Sequence, residues 1–340
     1  MPTYFVITID TEEDDWESWQ RTGSRVENVQ QLSVVQQICD RFGAIPTYLI
    51  TYPVAVENSS AKLLKKISER GGCEIGAHCH PWNTPPFEEA IISRNTMLCN
   101  LPRELQHRKL EKLHEIIVDR LGITPTSFRA GRWASGPGVA ASLDRLGYQV
   151  DSSVTPYFSW TDLGGPDFSK GLPFPYRFMP DDILSEDLHG SLLELPPSIG
   201  FLQKDFDRCA STRRWIIERR LPRLHFLGLL NRLRMLNLRW LSPEVTNLKD
   251  MVLLIKRFLS KGYSFLNLMF HSNSLVPGIS PFVRNEEDLR LFLNKIRALL
   301  AFAAENNFTF LSLTAAGQTY QKGTVGQTSA QEMIREMKGG

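Results

Sequence analysis

Acidic and histidine side chains stand at the ends of several apolar, β-branched segments of the sequence. One early segment ends in Asp10, a middle segment ends in His78 and His80, and a late segment ends in His271. The carboxyl ends of parallel strands meet on one face of an α/β fold. The sequence therefore predicts that these carboxylates and imidazoles lie together and carry hydrolytic chemistry.

The two middle histidines, His78 and His80, are two positions apart, which in an extended segment directs both imidazoles to the same side. A carboxylate from residues 11–15 would complete a three-ligand metal site with open positions for water and substrate, as in catalytic zinc sites. Such a pair is a weak signal alone, since it is also compatible with two ordinary polar residues at a strand end. The nearby acids and His271 favour the metal site.

Short strand-like segments and longer helical segments alternate along the chain and must position these residues. Strands are predicted at 4–9, 45–51, 73–78, 126–130, 148–153, 191–196, 263–271 and 308–313, and helices at 27–42, 60–70, 101–121, 137–146, 246–261 and 285–305. This order is typical of parallel strands covered by helices. About seven strand-and-helix units favour a barrel, although an open doubly wound sheet gives the same local pattern.

Two segments interrupt this alternation. Residues 155–190 are rich in Pro, Gly, Asp and aromatic residues, and we predict a long ordered loop of the kind that is usually functional. Residues 201–242 form a basic helical insertion. We predict a single domain over residues 1–316 that includes this insertion, followed by a flexible tail over 317–340. A composition of 42% hydrophobic and 22% charged residues excludes a disordered, collagen-like or coiled-coil chain.

Five motifs, in chain order and each at a strand end, resemble those of the polysaccharide deacetylases, carbohydrate esterase family 4 with its NodB-homology domain. The motifs are TIDTE, EIGAHCHP, RAGRW, DSSV and LMFHS. Five ordered motifs are much more specific than any one alone. The resemblance implies a distorted (β/α)7 barrel, a divalent metal that is usually zinc, and removal of an N- or O-acetyl group from a sugar.

The resemblance also implies catalytic roles. Asp10 matches the general base, Arg129 matches the residue that orients it, His271 matches the general acid, and Asp151 matches the aspartate that tunes that acid. Amide hydrolysis agrees with these roles, because Asp10 would take the proton of an attacking water and His271 would give one to the leaving nitrogen. Arg129 would keep Asp10 ionised in its half-buried position.

His78 and His80 match the metal histidines of the family, although family members more often space them four positions apart. The family commonly has adjacent aspartates in its first motif, and a threonine takes the second place here. The third ligand is therefore predicted to be Glu12 or, failing that, Asp14. These departures resemble a subset of the family that serves surface polysaccharide assembly.

Aromatic side chains and one methionine near the motifs are candidates for lining an acetyl pocket or stacking on a sugar ring. Simple packing in the core is the alternative for each of them. The candidates are Trp82, which follows the histidine pair, and Trp133, Tyr157, Trp160 and Met269.

The insertion is rich in arginine and also contains Leu, Ile, Phe and Trp residues. Residues 204–239 carry ten Lys and Arg residues against three acids, a net charge of +7, whereas the whole chain carries +2. Pro222 divides the segment into two predicted short helices. Helices of this kind lie at anionic membrane surfaces or pack over a barrel end. Nucleic-acid binding is disfavoured because leucines fill the gaps between the arginines. We predict packed helices with a membrane-facing surface over residues 208–239.

The location is predicted from what the sequence lacks. No run reaches the roughly 18 apolar residues that cross a bilayer, and no signal peptide is evident. Five cysteines without a CxxC pair favour reduced thiols. We predict a cytoplasmic enzyme, peripheral at the inner face of the membrane, that deacetylates a sugar or lipid-linked glycan. The alternatives are a cyclic-amide or ureide hydrolase and a catalytically silent carbohydrate-binding relative.

Overall fold

A curved central sheet organises the structure, a computed structural model that describes residues 2–14, 18–219 and 226–323. The strands are β1 (Tyr4–Thr11), β2 (Thr47–Ile50), β3 (Glu74–Cys79), β4 (Ser127–Ala130), β5 (Val150–Asp151), β6 (Phe158–Ser159), β7 (Asp167–Phe168), β8 (Tyr176–Phe178), β9 (Leu192–Glu194), β10 (Ile199–Phe201), β11 (Leu238–Trp240), β12 (Phe265–His271) and β13 (Thr309–Phe310).

Seven parallel strands follow one another across this sheet in the order β12, β1, β2, β3, β4, β5 and β9. β8 joins β9 in antiparallel orientation, and β13 pairs with the start of β1. Two antiparallel pairs, β6 with β7 and β10 with β11, lie outside this sheet. The predicted seven-stranded α/β barrel is confirmed.

Helices connect the strands, and most of them cover the outer face of the sheet. They begin at polar caps, such as Asn247 and Asn285, whose side chains accept hydrogen bonds from the first turn. Two end at left-handed glycines, Gly43 and Gly122. The helices are α1 (Leu32–Phe42), α2 (Tyr52–Val56), α3 (Asn58–Glu69), α4 (Arg103–Leu121), α5 (Pro137–Arg145), α6 (Phe206–Glu218), α7 (Phe226–Arg232), α8 (Leu248–Ser260), α9 (Glu286–Glu305) and α10 (313–323).

Strand β1 shows how the sequence divides between the two faces of the sheet. Phe5, Ile7 and Ile9 belong to the large core between sheet and helices, whereas Val6 belongs to a smaller cluster inside the barrel. Because side chains alternate along a strand, Asp10 points inward with Val6. The barrel interior is therefore apolar at the amino ends of the strands and polar at their carboxyl ends.

The barrel is distorted where β9 meets β12. The segment after β9 is joined to β12 by hydrogen bonds of two residues: Ser198 N donates to Asn267 O at 3.0 Å, and Asn267 N donates to Ser198 Oγ at 2.9 Å. Asn267 Nδ2 also donates to Ser152 Oγ, at 3.2 Å, across the interior. Polar side chains here replace part of a strand ladder.

Three features of the structure differ from the sequence predictions. The last strand is shorter than predicted, because Leu313 and Ala316 begin α10 and pack inside the barrel. α10 crosses the predicted start of the tail at 317, and residues 324–340 lie outside the described residues. The loop over 155–190 contains three short strands.

The insertion consists of α6 and α7 held between β10 and β11. Pro222, predicted to divide the two helices, lies outside the described residues. Among the helices that the structure describes, none has the length and hydropathy of a membrane span.

Candidate active site

Three side chains at the carboxyl ends of β1 and β3 form a cluster with metal-ligand chemistry. Glu12 Oε2 lies 3.5 Å from His78 Nε2 and 3.3 Å from His80 Nε2, and all three side chains are buried. One ligand atom from each residue lies within 4.8 Å of those of the other two. The spacing of two positions thus brings both imidazoles to one carboxylate.

The other ring nitrogen of each histidine is already engaged. His78 Nδ1 lies 3.0 Å from the carbonyl oxygen of Arg129, and His80 Nδ1 lies 2.6 Å from Glu13 Oε1. Such contacts fix the tautomer and aim Nε2 at a metal. Two imidazoles and a carboxylate, oriented in this way, fit a divalent ion with an open position.

Glu13 was not singled out in the sequence, although it lies in the same acidic run as Glu12. Glu12 and Glu13 raise the pKa of His80 to about 10, against the effect of burial, which alone would lower it. The pKa of Glu12 is well below its usual range, because hydrogen bonds from His78 and His80 outweigh its burial. The two carboxylates therefore favour positive charge at the place where a metal cation would bind.

Asp14, the alternative third ligand, serves a different purpose. Its carboxylate accepts the backbone N–H groups of Glu27 and Asn28, each at 3.0 Å, and the Asn28 side chain at 2.6 Å. These bonds tie the loop after β1 to the start of the next helical segment. The structure brings Glu12, and not Asp14, to the histidines.

Asp10 and Arg129 form a buried ion pair beside this cluster. Arg129 Nη1 donates to Asp10 Oδ1 at 2.6 Å, and Arg129 is further held by Thr8 and Ser152. Burial alone would raise the pKa of Asp10, but Arg129, and then His78 and His271, lower it below its usual value. Asp10 is therefore an ionised carboxylate with Oδ2 directed away from Arg129.

His271 faces Asp10 from the end of β12. Its Nε2 lies 3.8 Å from Asp10 Oδ2, and its Nδ1 lies 3.0 Å from Glu244 Oε2. Glu244 also accepts the backbone N–H of His271 and the hydroxyl of Ser274. Burial would lower the pKa of His271, but Glu244, with Glu12 and Asp10, raises it to about 10. His271 is therefore an imidazolium.

Glu244, and not Asp151, is the acid that holds His271. Asp151 lies opposite Phe128 and Glu194 in the parallel register, so it shares the outward face of Phe128. There it accepts hydrogen bonds from Ser135, at 3.1 Å, and from Ser153, while burial raises its pKa to about 6. The predicted role of Asp151 is corrected because alternation directs its neighbour Ser152 into the barrel instead.

The site opens into a cavity of about 840 Å³ with an aromatic wall. Four of the five predicted lining residues contribute to it, namely Trp82, Trp133, Trp160 and Met269. Tyr157 does not, because it packs against Phe201 and Phe206 with ring centroids 5.0 and 6.5 Å away. Four further aromatic residues, not predicted from the sequence, line the cavity from loops and from the insertion: Trp19, Phe158, Trp240 and Phe282.

The RAGRW motif has an unusual backbone conformation where it lines the cavity. Arg132 and Trp133 have positive φ values of 54° and 60°, which are uncommon for residues with side chains. A Cβ at Gly131 would overlap the ring of His80. The motif therefore needs glycine at this position so that the backbone can approach the metal ligand.

The chain is similar to known proteins in its three-dimensional structure but not detectably in its sequence. No family model matches the sequence, and no curated protein matches it either. A protein of Mycobacterium smegmatis, provisionally described as a polysaccharide deacetylase, is 14% identical with a TM-score of 0.52, over 95% of this chain and 92% of that one. A Parabacteroides distasonis protein, provisionally described as a glycoside hydrolase or deacetylase, is 12% identical with a TM-score of 0.57, over 94% and 70%.

A third similar structure has a different activity. The 4-α-glucanotransferase of Thermococcus litoralis is 12% identical with a TM-score of 0.51, over 92% of this chain and 40% of that one. One fold can host several chemistries, so these likenesses are evidence for the architecture alone. An activity has to be argued from the residues of the site. They confirm the fold that the motifs implied: the chain has a distorted (β/α)7 barrel similar to that of structures described as polysaccharide deacetylases.

Proposed function

We propose that the chain is a metal-dependent hydrolase that removes the acetyl group of an N-acetylated sugar. The observation that carries this proposal is the meeting of three groups in one cavity. The ligand cluster of Glu12, His78 and His80 lies beside an ionised carboxylate, Asp10, and an imidazolium, His271. Hydrolysis of an amide needs all three: an electrophilic centre, a base and an acid.

The metal ligands would be Glu12 Oε2 and the Nε2 atoms of His78 and His80. We propose zinc, because this donor set is that of catalytic zinc sites. When bound, such an ion polarises a carbonyl group and lowers the pKa of water to about 7. Glu13 and the carbonyl of Arg129 would hold the two imidazoles in their binding orientation.

Asp10 would act as the general base. Its Oδ1 is occupied by Arg129, so Oδ2 is the atom that accepts a proton from the attacking water. Arg129 is buried and held by several hydrogen bonds, so it stays beside Asp10. The carboxylate of Asp10 therefore remains ionised and keeps its orientation. Three further guanidinium N–H groups donate to Thr8 Oγ1 and to the hydroxyl and carbonyl oxygens of Ser152, and these bonds fix the geometry.

His271 would act as the general acid. Glu244 holds its Nδ1, which leaves the Nε2 proton directed towards the cavity and towards Asp10 Oδ2, 3.8 Å away. Base and acid thus face the same part of the cavity, beside the ligand cluster of Glu12, His78 and His80. The imidazolium would give its proton to the departing amine nitrogen.

The aromatic wall supports a sugar as the substrate. Trp133 and Trp240 lie with ring centroids 5.4 Å apart, and Phe158 packs against Trp240 at 5.1 Å. Aromatic faces stack well on the apolar faces of sugar rings. A cavity of about 840 Å³ is larger than one sugar requires, so we propose a substrate that extends beyond the acetylated unit.

We further propose that this substrate is an intermediate of surface polysaccharide or glycolipid assembly, processed in the cytoplasm at the membrane surface. Apolar side chains of the insertion that are 48–61% exposed support this placement: Trp215, Leu229, Leu233 and Met235. Arginines of the same segment would bind anionic headgroups while these side chains enter the interface. We therefore propose that residues 208–239 contact the membrane.

A substrate panel tests the proposed reaction class. Zinc-loaded protein is incubated with acetylated sugars, cyclic amides and ureides, and the released acetate and amine are quantified. Acetate release from an N-acetylated sugar, lost with a chelator, is the expected result. Ring opening of a cyclic amide or ureide without acetate release would instead identify the alternative hydrolase. Sugar binding without turnover, with zinc bound, would identify a silent relative.

A further inference from the structure

A second, smaller pocket of about 230 Å³ lies between the helices of the insertion and the wall of the large cavity. Phe158 lines both, so the two cavities adjoin at this ring. The pocket has two arginines, Arg213 and Arg239, and its remaining lining is largely leucine. Since a water occupies about 30 Å³ in the liquid, there is room for an ionic group and the first atoms of a chain.

Arg213 is a half-buried cation without an acidic partner among the residues that the structure describes. Its Nη1 donates to the carbonyl oxygen of Tyr157 at 2.9 Å, and its guanidinium lies 5.4 Å from the centroid of the Phe158 ring. Among the described residues, no carboxylate lies within ion-pair distance of it. Burial alone lowers the pKa of Arg213. A cation removed from water without a counter-charge is costly, and an anion would offset that cost.

Arg239 is held rigidly on the opposite side of the pocket. Its Nε donates to Asp250 Oδ2 at 3.0 Å, and its Nη1 donates to Asn231 Oδ1 at 2.8 Å. Arg234 binds the other oxygen of Asp250 at 2.8 Å. Two arginines thus share one carboxylate, which leaves one positive charge, and Arg213 adds a second. These three arginines and Asp250 together carry a net charge of +2, and two of the arginines, Arg213 and Arg239, line the pocket.

We propose that this pocket binds a phosphate ester that joins the acetylated sugar to an apolar chain, an inference that rests on the proposed deacetylase function. Two guanidinium groups form paired, charge-assisted hydrogen bonds with phosphate oxygens. The shared ring of Phe158 puts that phosphate next to the sugar cavity. Leu227 and Leu236 supply an apolar wall that a free phosphate or an extended sugar polymer would not use.

The exposed surface beyond the pocket is also apolar. Phe226, Leu229 and Leu233 on and after α7 are 41–58% exposed. An apolar chain leaving the pocket along these side chains would reach the surface that we assign to the membrane. The sugar, the phosphate and the chain of one glycolipid would then occupy the cavity, the pocket and the membrane-facing surface in that order.

Binding of simple probes to the full zinc-loaded chain tests this site. Octyl phosphate, octyl glucoside and inorganic phosphate are titrated separately by calorimetry, below the micelle concentrations of the two alkyl probes. We expect octyl phosphate to bind about tenfold or more tightly than either of the others, because only it supplies both charge and apolar chain. Equal binding of inorganic phosphate would overturn the ester assignment. Equal binding of octyl glucoside would overturn the anion site.

Variants of Arg213 and its neighbour locate the effect. Arg213→Gln should remove the preference for octyl phosphate over octyl glucoside, and Arg213→Lys should retain much of it. Arg214→Gln is the matched control, since Arg214 lies next in sequence but outside the pocket. An equal loss in Arg213→Gln and Arg214→Gln would indicate a general charge effect and contradict the site. An equal loss of preference in Arg213→Gln and Arg213→Lys, with lowered unfolding temperatures, would indicate a purely structural arginine and also contradict it.

The probes separate this inference from the proposed function, because octyl phosphate carries no acetyl group. Selective binding of octyl phosphate without acetate release from any sugar would refute the deacetylase alone. Acetate release without any preference for octyl phosphate would refute the phosphate pocket alone. A third comparison links the two: Arg213→Gln should lower kcat/KM for a 1-phosphorylated N-acetyl sugar much more than it lowers kcat/KM for the methyl glycoside of the same sugar.

Discussion

Glu244 Oε2 lies 3.0 Å from Nδ1 of His271, and the same carboxylate accepts the backbone N–H of His271. Glu244 comes from the turn between β11 and α8, whereas His271 ends β12. One carboxylate thus fixes both the position and the charge of the proposed acid. The pKa of about 10 that results keeps His271 protonated throughout the neutral range.

Glu244→Gln should move the alkaline limb of the pH–kcat/KM profile to lower pH. Removing the carboxylate lowers the pKa of His271 from about 10 towards its usual 6.5, so the acid loses its proton at lower pH. Activity should fall steeply above neutral pH and change little in mild acid. Asp151→Asn is the control, because Asp151 faces the helices, and its alkaline limb should not move. An unshifted limb in Glu244→Gln would reassign the acid's partner.

Glu12→Gln should lose stoichiometric zinc, whereas Asp14→Asn should keep it. Glu12 faces both histidines, while Asp14 accepts hydrogen bonds from Glu27 and Asn28. The same chemical change therefore removes a ligand in one variant and weakens a loop in the other. Metal content after dialysis is measured by elemental analysis. Loss of zinc from Asp14→Asn with retention in Glu12→Gln would reverse the assignment.

Gly131→Ala should weaken zinc binding about 10- to 100-fold, the range found when groups that orient ligands are disturbed. The added methyl group would overlap the ring of His80 and push it from its position opposite Glu12. Gly136→Ala is the matched control, since its Cβ would meet only Cys99 Cβ, at 3.4 Å. Competition with a chromogenic chelator measures both. Equal affinity in the two variants would remove the proposed need for glycine.

The strand-end residues of the site could be predicted because alternation along a strand fixes which side chains share a face. Asp10 and His78 follow this rule, and so does Ser152, whose inward position leaves Asp151 outside. Glu244 and Trp240 could not be predicted. They belong to a turn and to the insertion. Their place in the site depends on how the antiparallel pair of β10 and β11 packs beside β12, which no local pattern encodes.

Replacing three exposed arginines of the insertion with glutamine should release the protein from anionic vesicles. Wild-type protein should sediment with vesicles at low salt and dissociate as salt rises, because the attraction is screened over about 8 Å at physiological ionic strength. The variant changes Arg208, Arg219 and Arg232, and the control with the same charge change alters Arg103, Arg284 and Arg290. Equal binding by variant and control would show that the insertion does not form the membrane-binding surface.

The most direct test of the central claim is acetate release by zinc-loaded wild type and Asp10→Asn on the same N-acetylated sugar. Asp10→Asn removes the proton acceptor and no ligand, so we expect it to retain zinc and fold while kcat falls by about 10²- to 10⁴-fold. Wild type should release one acetate for each amine formed, and a chelator should stop it. Wild-type rates in Asp10→Asn, or no acetate from zinc-loaded wild type on any acetylated sugar, would contradict the proposed deacetylase.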